Sequence, residues 1–428
     1  MITSAAFAGK SYAVLGLARS GVATVEALLA SGAEVTAWDN REEARAQLMG
    51  VRFADPVELD LTGFAGVVVS PGVPLNRHPI KAHAAKFAVP VIGDIELFAQ
   101  ARASLPPHKV VGITGTNGKS TTTALIRHIV ETAGLPTLMG GNIGLPIMGR
   151  DPLTPNEKGV GIYVLELSSY QIDLTYSLDC DVAVLTNITP DHLDRYEGFE
   201  GYAASKERLF AMQSAGHDAV IAVEDESSRA IASRHHSVEV RSSDANGQED
   251  WPALQGPHNA QNAVIAITVA KALGIAAPAI EQGLRSYPGL PHRMQRIADK
   301  KGVLFINDSK ATNATATAPA LGAYPKIHWI LGGLPKTDNL DDCAPYFDHV
   351  VAGYTIGQAG TMFADILRKA GKMVTESGTL DRAVQDAAAA ARPGEVVMLS
   401  PACASFDQFS DYEARGDAFV RAVEGLSL

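Results

Sequence analysis

Between Val110 and Thr122 the chain reads Val110-Val-Gly-Ile-Thr-Gly-Thr-Asn-Gly-Lys-Ser-Thr-Thr122, an apolar run that passes through a Gly-rich turn into a helical pattern from Thr121 to Ala133. These are phosphate-binding residue types. Backbone N–H groups from Gly115 to Lys119 can wrap an anion, the Lys119 ammonium can meet β and γ oxygens, and the Ser120 hydroxyl can reach a Mg²⁺. A lysine at a helix N-terminus is repelled by the helix dipole unless an anion is present, which argues against a purely structural turn. Ile113 stands where the common GxxxxGK[ST] loop has its first glycine, so the loop is a variant.

Other segments carry weaker signals. Glu166 closes the apolar run of Val164-Leu-Glu-Leu-Ser-Ser-Tyr-Gln171, and His192 lies in Thr186-Asn-Ile-Thr-Pro-Asp-His-Leu-Asp-Arg-Tyr196 after the next run. A carboxylate and an imidazole at neighbouring strand ends near a P-loop suit a Mg²⁺ site, although His is an unusual ligand for that ion. By spacing alone, His192 reads as a loop hydrogen-bond group and Lys206 as a solvated helix lysine. Gly16-Leu-Ala-Arg-Ser-Gly21 approximates the dinucleotide fingerprint, with Asp39 closing the following strand, but Ala18 replaces the glycine that lets backbone approach a pyrophosphate. Its position at a strand end and helix start still suits a diphosphate, and Ser70 in Ser70-Pro-Gly-Val73 should face the same crevice. In Phe305-Ile-Asn-Asp-Ser-Lys-Ala-Thr-Asn313, Asp308 could take a ribose hydroxyl and Lys310 a phosphate or carboxylate. Ser405 has no nearby His, so serine hydrolase chemistry is disfavoured.

Placing these residues requires strands that end in loops. Apolar runs recur at Tyr12–Leu15, Val67–Val69, Val110–Ile113, Tyr163–Leu165, Val182–Leu185, Val303–Ile306, Trp329–Leu331 and Val396–Leu399, separated by helical patterns. Non-alternating runs between amphipathic helices predict an α/β chain with parallel sheets covered on both faces. Pro-rich joints at Ala103–His108 and Tyr287–His292 lie near the expected domain boundaries, and Ser242–Asp250 reads as a surface loop of the middle domain. With 428 residues the chain has room for about three domains. Its net charge of −11 disfavours nucleic acid and anionic lipid as partners. Cys180, Cys343 and Cys403 are too dispersed for a zinc site or disulfide framework and suit a cytoplasmic chain. The longest apolar stretch, Ala263 to Ala270, falls well short of the roughly 20 residues of a membrane span.

Together with Asp191-His-Leu-Asp-Arg-Tyr196, Asn307-Asp-Ser-Lys-Ala-Thr-Asn313 and Ser400-Pro-Ala-Cys-Ala-Ser-Phe-Asp-Gln408, the P-loop segment resembles the Mur ligase family over nearly the whole chain. Gly118-Lys-Ser-Thr121 differs from the GKGS typical of folylpolyglutamate synthase, the nearest rival. The resemblance implies three domains: a Rossmann-like UDP-substrate domain over 1–95, a central P-loop ATP-binding domain with a parallel sheet over 96–298, and a Rossmann-like C-terminal domain for the amino acid over 299–428. It also implies ATP-dependent ligation of D-glutamate to UDP-N-acetylmuramoyl-L-alanine, with Mg²⁺ and by a monomer, in peptidoglycan precursor synthesis. Closure is expected at the joint near Tyr287–Arg293.

Residue by residue, the resemblance assigns the ATP phosphates to Gly115, Thr116, Asn117, Gly118, Lys119, Ser120 and Thr121, the adenine to Asn259 and Asn262, and phosphate and ribose contacts to Arg293 and Asp308. It assigns Mg²⁺ to Ser120, Glu166, His192 and an N-carbamylated Lys206; Lys119, Glu166, His192 and Lys206 are the catalytic set. The UDP substrate falls to Asp39, Asn40, Arg41, Ser70, Asn142 and His192, and D-glutamate to Lys310, Thr312, Lys336, Ser405 and Tyr412. Two positions depart from the family pattern: Leu334 replaces an expected acidic residue, and Tyr412 replaces a common Phe. A nucleotide-dependent dehydrogenase would leave Gly115–Thr121 without purpose, and a nucleotide switch would leave the first and last domains idle.

Overall fold

The computed structural model describes residues 1–191 and 195–426, which form three sheets. In the first, β1 (Ser11–Leu15), β2 (Glu34–Trp38), β3 (Arg52–Phe53), β4 (Phe64–Val69) and β5 (Val91–Ile92) are ordered β3-β2-β1-β4-β5, all parallel. The second contains β6 (His108–Thr114), β7 (Thr137–Gly141), β8 (Gly161–Glu166), β9 (Val182–Leu185), β10 (Asp218–Ala222) and β11 (Val238–Val240). Its order is β11-β10-β9-β6-β8-β7, again parallel throughout. The third is built from β12 (Gln295–Lys300), β13 (Val303–Asn307), β14 (Ile327–Gly332), β15 (Val350–Ile356), β16 (Met373–Gly378) and β17 (Val396–Leu399), in the order β12-β13-β17-β14-β15-β16.

Each expected apolar run lies in one of these strands. β8, β9, β14 and β17 are buried at every residue, as strands covered on both faces must be. The third sheet departs from the parallel expectation because β12 runs antiparallel to β13. β12 is a polar edge strand, Gln295-Arg-Ile-Ala-Asp-Lys300, that needs no crossover helix to reach its neighbour.

The described residues form two compact units, one of 1–244 and 261–283, the other of 245–260 and 284–428. The first unit contains both the first and the second sheet. The expected break at 95/96 falls within the helix Asp94–Ala101, which is buried along most of its length. Glu96 accepts hydrogen bonds from Tyr176 N at 2.7 Å, Ser177 N at 2.9 Å and Ser177 Oγ at 2.7 Å, and Phe98 packs edge-on to Tyr163 at 5.1 Å. A helix embedded this way on both sides of the join leaves no free linker there. The segment 245–260, expected as part of the middle domain, belongs to the second unit, and the break at 298/299 falls inside β12. All three cysteines are buried, and burial pushes each thiol up to about 12. Among the described residues no helix is long and apolar enough to cross a membrane.

Candidate active site

In the second sheet the strand order reverses at β6, so the loops after β6 and its neighbour β9 face each other across a crevice where α/β sheets bind ligands. The loop after β6 turns into the helix Lys119–Thr132, two residues earlier than the sequence pattern places it. Its shape depends on glycine at two positions. Gly115 has φ +143°, and a Cβ there would stand 1.9 Å from Thr186 Oγ1; Gly118 has φ +81°, and its Cβ would meet Asn262 Oδ1 at 2.5 Å. The loop after β9 clamps this turn: Asn187 O accepts from Thr116 N at 2.8 Å, Asn187 Oδ1 from Asn117 N at 2.9 Å, and Thr186 Oγ1 donates to Asn117 O at 2.7 Å.

Two lysines converge on one carbonyl of this loop. Lys119 Nζ donates to Gly115 O at 2.9 Å and to Thr116 O at 2.8 Å, while Lys206 Nζ donates to the same Gly115 O at 2.8 Å. Lys206 is 1% exposed, which overturns its reading as a solvated helix lysine. The helix Gly198–Ala211 presents it inward with Tyr202 and Ser205, and its ammonium lies 4.4 Å over the Tyr202 ring. Burial, reinforced by the neighbouring Lys119 charge, lowers Lys206 to about 7, so a large share of this amine is neutral near physiological pH. Tyr202 extends the cluster by pairing its hydroxyl with Thr116 Oγ1 at 3.2 Å. Tyr202 was not singled out in the sequence; a tyrosine four residues before a lysine is an ordinary helical spacing.

Glu166 ends β8 directly beside β6, with Ile113 as its partner in register. Its Oε1 accepts from Asn142 Nδ2 at 2.8 Å, but its buried Oε2 has no hydrogen-bond partner. An orphaned carboxylate oxygen next to a phosphate loop fits a hard divalent cation, as does the buried Ser120 hydroxyl type. Among the described residues no three His, Cys, Asp or Glu side chains gather as a ligand set, so such an ion would also need hydroxyl, phosphate, water or modified-lysine oxygens. His192 lies outside the described residues. Asn262 accepts from Thr122 Oγ1 at 3.1 Å and so sits against the phosphate loop.

In the first sheet the strand order reverses at β1, and the loops after β1 and β4 meet as expected: Ser70 Oγ donates to Gly16 O at 2.8 Å. Asp39, at the end of β2, accepts from Leu17 N at 2.8 Å and from Arg41 N at 3.0 Å and Nε at 3.1 Å. Partial burial works against its charge, yet these hydrogen bonds hold the carboxyl down at about 2. Asn40 accepts from Trp38 Nε1 at 3.2 Å. The fingerprint residues are thus tied into the turn itself.

The second unit gathers most of the remaining candidates at the carboxyl ends of β13, β14 and β17. Lys310, after β13, lies 3.8 Å over the Tyr412 ring; Lys336, after β14, donates to Thr312 Oγ1 at 3.2 Å; Ser405, after β17, is buried. Leu334 exchanges backbone hydrogen bonds with Ala404 at 3.0 Å in both directions, which joins two of these loops through main chain and leaves the side chain no charged role. Asp308 is buried, with Oδ1 accepting from Met294 N at 3.1 Å and Oδ2 from Ser400 Oγ at 2.7 Å; burial pushes it up to about 7. Its neighbour Arg293 is half-buried. Asn259 donates to Gln255 O at 3.0 Å. Sequence reasoning missed Arg415, whose fully buried guanidinium ties Ser309 Oγ at 3.0 Å and O at 2.9 Å to Cys403 O at 3.0 Å and Ala404 O at 3.2 Å. It braces the loops after β13 and β17, and an arginine on a helix face gives no sequence signal for that.

A strand-to-helix phosphate loop, two converging lysines and an unpaired carboxylate oxygen beside it define a phosphoryl-handling site on an α/β frame. The Mur ligase middle domain matches residues 113–253, and the Mur ligase glutamate ligase domain matches residues 292–403. The chain belongs to the Mur ligase family, ATP-dependent ligases that form amide bonds. It is 65% identical to the UDP-N-acetylmuramoylalanine--D-glutamate ligase of Novosphingobium aromaticivorans, over 100% of this chain and 97% of that one. It is 61% identical to the protein of the same name from Zymomonas mobilis, with both chains covered completely. Among solved structures, the UDP-N-acetylmuramate-alanine ligase of Thermotoga maritima shares the fold with a TM-score of 0.58 at 17% identity, over 97% of this chain and 99% of that one.

Proposed function

We propose that the chain uses ATP to join D-glutamate to UDP-N-acetylmuramoyl-L-alanine, a step in peptidoglycan precursor synthesis. A carboxylate is a poor electrophile, so ATP first transfers its γ-phosphoryl group to the alanyl carboxylate, releasing ADP; the neutral D-glutamate amine then attacks the acyl phosphate, expelling phosphate and losing a proton as the amide forms. The observation that carries this reading is the convergence of Lys119 and Lys206 on Gly115 O, beside the unpartnered Glu166 oxygen. Lys119 occupies loop carbonyls that an incoming phosphate would replace as its partners, bringing positive charge to the transferring group.

Ser120, Glu166, His192 and Lys206 are the residues we assign to Mg²⁺, which would offset charge on the phosphates. An ammonium has no lone pair for a cation, whereas a lowered, partly neutral Lys206 amine can add to CO₂, releasing a proton and forming an N-carbamate with anionic oxygens. Asn259, Asn262, Arg293 and Asp308 are assigned to the nucleotide. Asp39, Asn40, Arg41, Ser70 and Asn142 take the UDP substrate; Lys310, Thr312, Lys336, Ser405 and Tyr412 take D-glutamate. Three functional domains and a cytoplasmic monomer complete the proposal. Phosphate release measured with ATP, UDP-N-acetylmuramoyl-L-alanine and a panel of amino acids tests it: turnover should require D-glutamate, and activity indifferent to that amino acid overturns the assignment.

A further inference from the structure

Within the first unit a cavity of about 520 Å³ opens between the loop after β4 and the helices Ser169–Asp173 and Gly198–Ala211. That volume suits a small organic molecule. Among the described residues, none of those assigned above to nucleotide, metal, UDP substrate or D-glutamate lines it. Its wall carries three cations, Lys81, Arg195 and Arg208, against two carboxylates, Asp173 and Glu197, in a chain whose net charge is −11. A locally positive recess on a negative chain favours an anion.

The two carboxylates do not neutralise the cations that matter. Asp173 is committed elsewhere, its Oδ1 accepting from Ser205 Oγ at 2.7 Å and its Oδ2 from Tyr196 OH at 2.9 Å, with Arg208 at 3.9 Å; Glu197 is exposed to solvent. Among the described residues neither Lys81 nor Arg195 forms an ion pair. Arg195 is nevertheless held in place: Nη2 donates to Val73 O at 3.1 Å, and the guanidinium lies 3.7 Å over the Tyr170 ring. Its Nε and Nη1 protons are left for a ligand, on a half-buried cation that loses little freedom when it binds one. The remaining wall is flat and apolar. Tyr170 and Tyr196 stack with centroids 6.2 Å apart and planes within 16°, and Leu75, Val91 and Leu174 complete a surface suited to a planar ring.

We propose that this cavity is a further small-molecule site and that it takes an aromatic carboxylate. The ring lies against the tyrosines and aliphatic side chains, and the carboxylate accepts charge-assisted hydrogen bonds from Arg195 and Lys81. A neutral aromatic would leave the unpaired cations unanswered, and a small inorganic anion would leave the apolar wall uncovered.

The test titrates 2-naphthoate and its neutral amide, 2-naphthamide, into the full chain by calorimetry. ADP, UDP-N-acetylmuramoyl-L-alanine and D-glutamate are present in excess, to occupy the sites proposed above. Naphthoate should bind with a Kd of about 1 mM or tighter, a strength reasonable for a ligand of its size. The amide should bind about tenfold more weakly, the scale of a hydrogen bond between charged groups. Lys81→Met and Arg195→Met should each bring naphthoate close to the amide, and Leu75→Trp, which fills the cavity, should abolish binding of both. Lys81→Met changes an exposed side chain, so it should fold and release phosphate as the parent does even if another variant does not fold. A parent that binds no naphthoate, or that binds acid and amide equally, overturns the proposal. Naphthoate binding unchanged in Lys81→Met, or surviving in a folded Leu75→Trp, puts the probe elsewhere and overturns it as well.

Discussion

Lys206 illustrates how one side chain's chemistry is set by its burial. Its ammonium shares Gly115 O with Lys119, and the loss of solvation brings its proton within easy reach of removal at neutral pH. If the amine becomes a carbamate, Lys206→Ala should nearly abolish phosphate release, and acetate or formate at high concentration should restore part of it by filling the vacated oxygen positions. Lys206→Arg should be inactive as well, since guanidinium keeps the charge and cannot be carbamylated; an arginine variant close to parent activity would make Lys206 a simple cation. Asp308 gives a second residue-scale expectation. Its buried carboxyl is raised from 3.8 to about 7, so the stability it contributes is present below pH 4 and is lost as pH rises through 7. Asp308→Asn removes that loss, and the melting temperature of the variant relative to the parent should therefore climb between pH 4 and pH 7 and level off above it. A difference that stays flat across that range would mean that Asp308 is not raised.

The turn between β6 and the helix Lys119–Thr132 shows how an element is constrained by its neighbours more than by its own dihedrals. Gly9 and Gly115 both have positive φ, +70° and +143°, but a Cβ at Gly9 meets nothing within 4 Å whereas one at Gly115 would strike Thr186 Oγ1. Gly9→Ala should cost on the order of 1 kcal/mol in thermal melts and leave phosphate release intact. Gly115→Ala should displace the clamp from β9 and lower turnover about a hundredfold or more, as a misplaced phosphate cradle does. Equal effects from the two substitutions would refute the clamp. Sequence found this element because glycines, lysine and serine follow an apolar run in a fixed order. It also found the eight apolar runs, since strands buried on both faces have no polar residue to interrupt them. It could not find β12 or β16, whose Gln295–Lys300 and Met373–Gly378 are polar edges. Nor could it separate Lys206 from surface lysines without the family resemblance, because its burial is created by Tyr202 and the distant loop at Gly115.

At the scale of the molecule, two compact units each have their own buried core, and the first holds two sheets joined through Glu96 and Phe98. Heat should therefore unfold the chain in two calorimetric transitions. If the loop after β6 holds the nucleotide phosphates as proposed, ADP should raise the transition of the first unit. Arg415→Met should lower the other transition selectively by cutting the ties among Ser309, Cys403 and Ala404. One transition with equal calorimetric and van't Hoff enthalpies would show that the units unfold together. The family resemblance and the nearby Pro-rich joints set the expected boundaries, and neither could show Glu96 as a bolt, because its partners Tyr176 and Ser177 lie far along the chain.

The burial of all three cysteines, together with the lowered amine of Lys206, inverts the usual order of covalent reactivity. Thiols pushed up to about 12 present almost no thiolate at neutral pH, so alkylating agents and mild oxidants meet no ready nucleophile in them. The more nucleophilic group is the Lys206 amine, buried beside the loop after β6 and lowered to about 7. Isocyanic acid, formed from cyanate, is attacked by neutral amines, so cyanate added to the folded enzyme should cost activity through this lysine while the three buried cysteines stay unmodified until the chain is denatured.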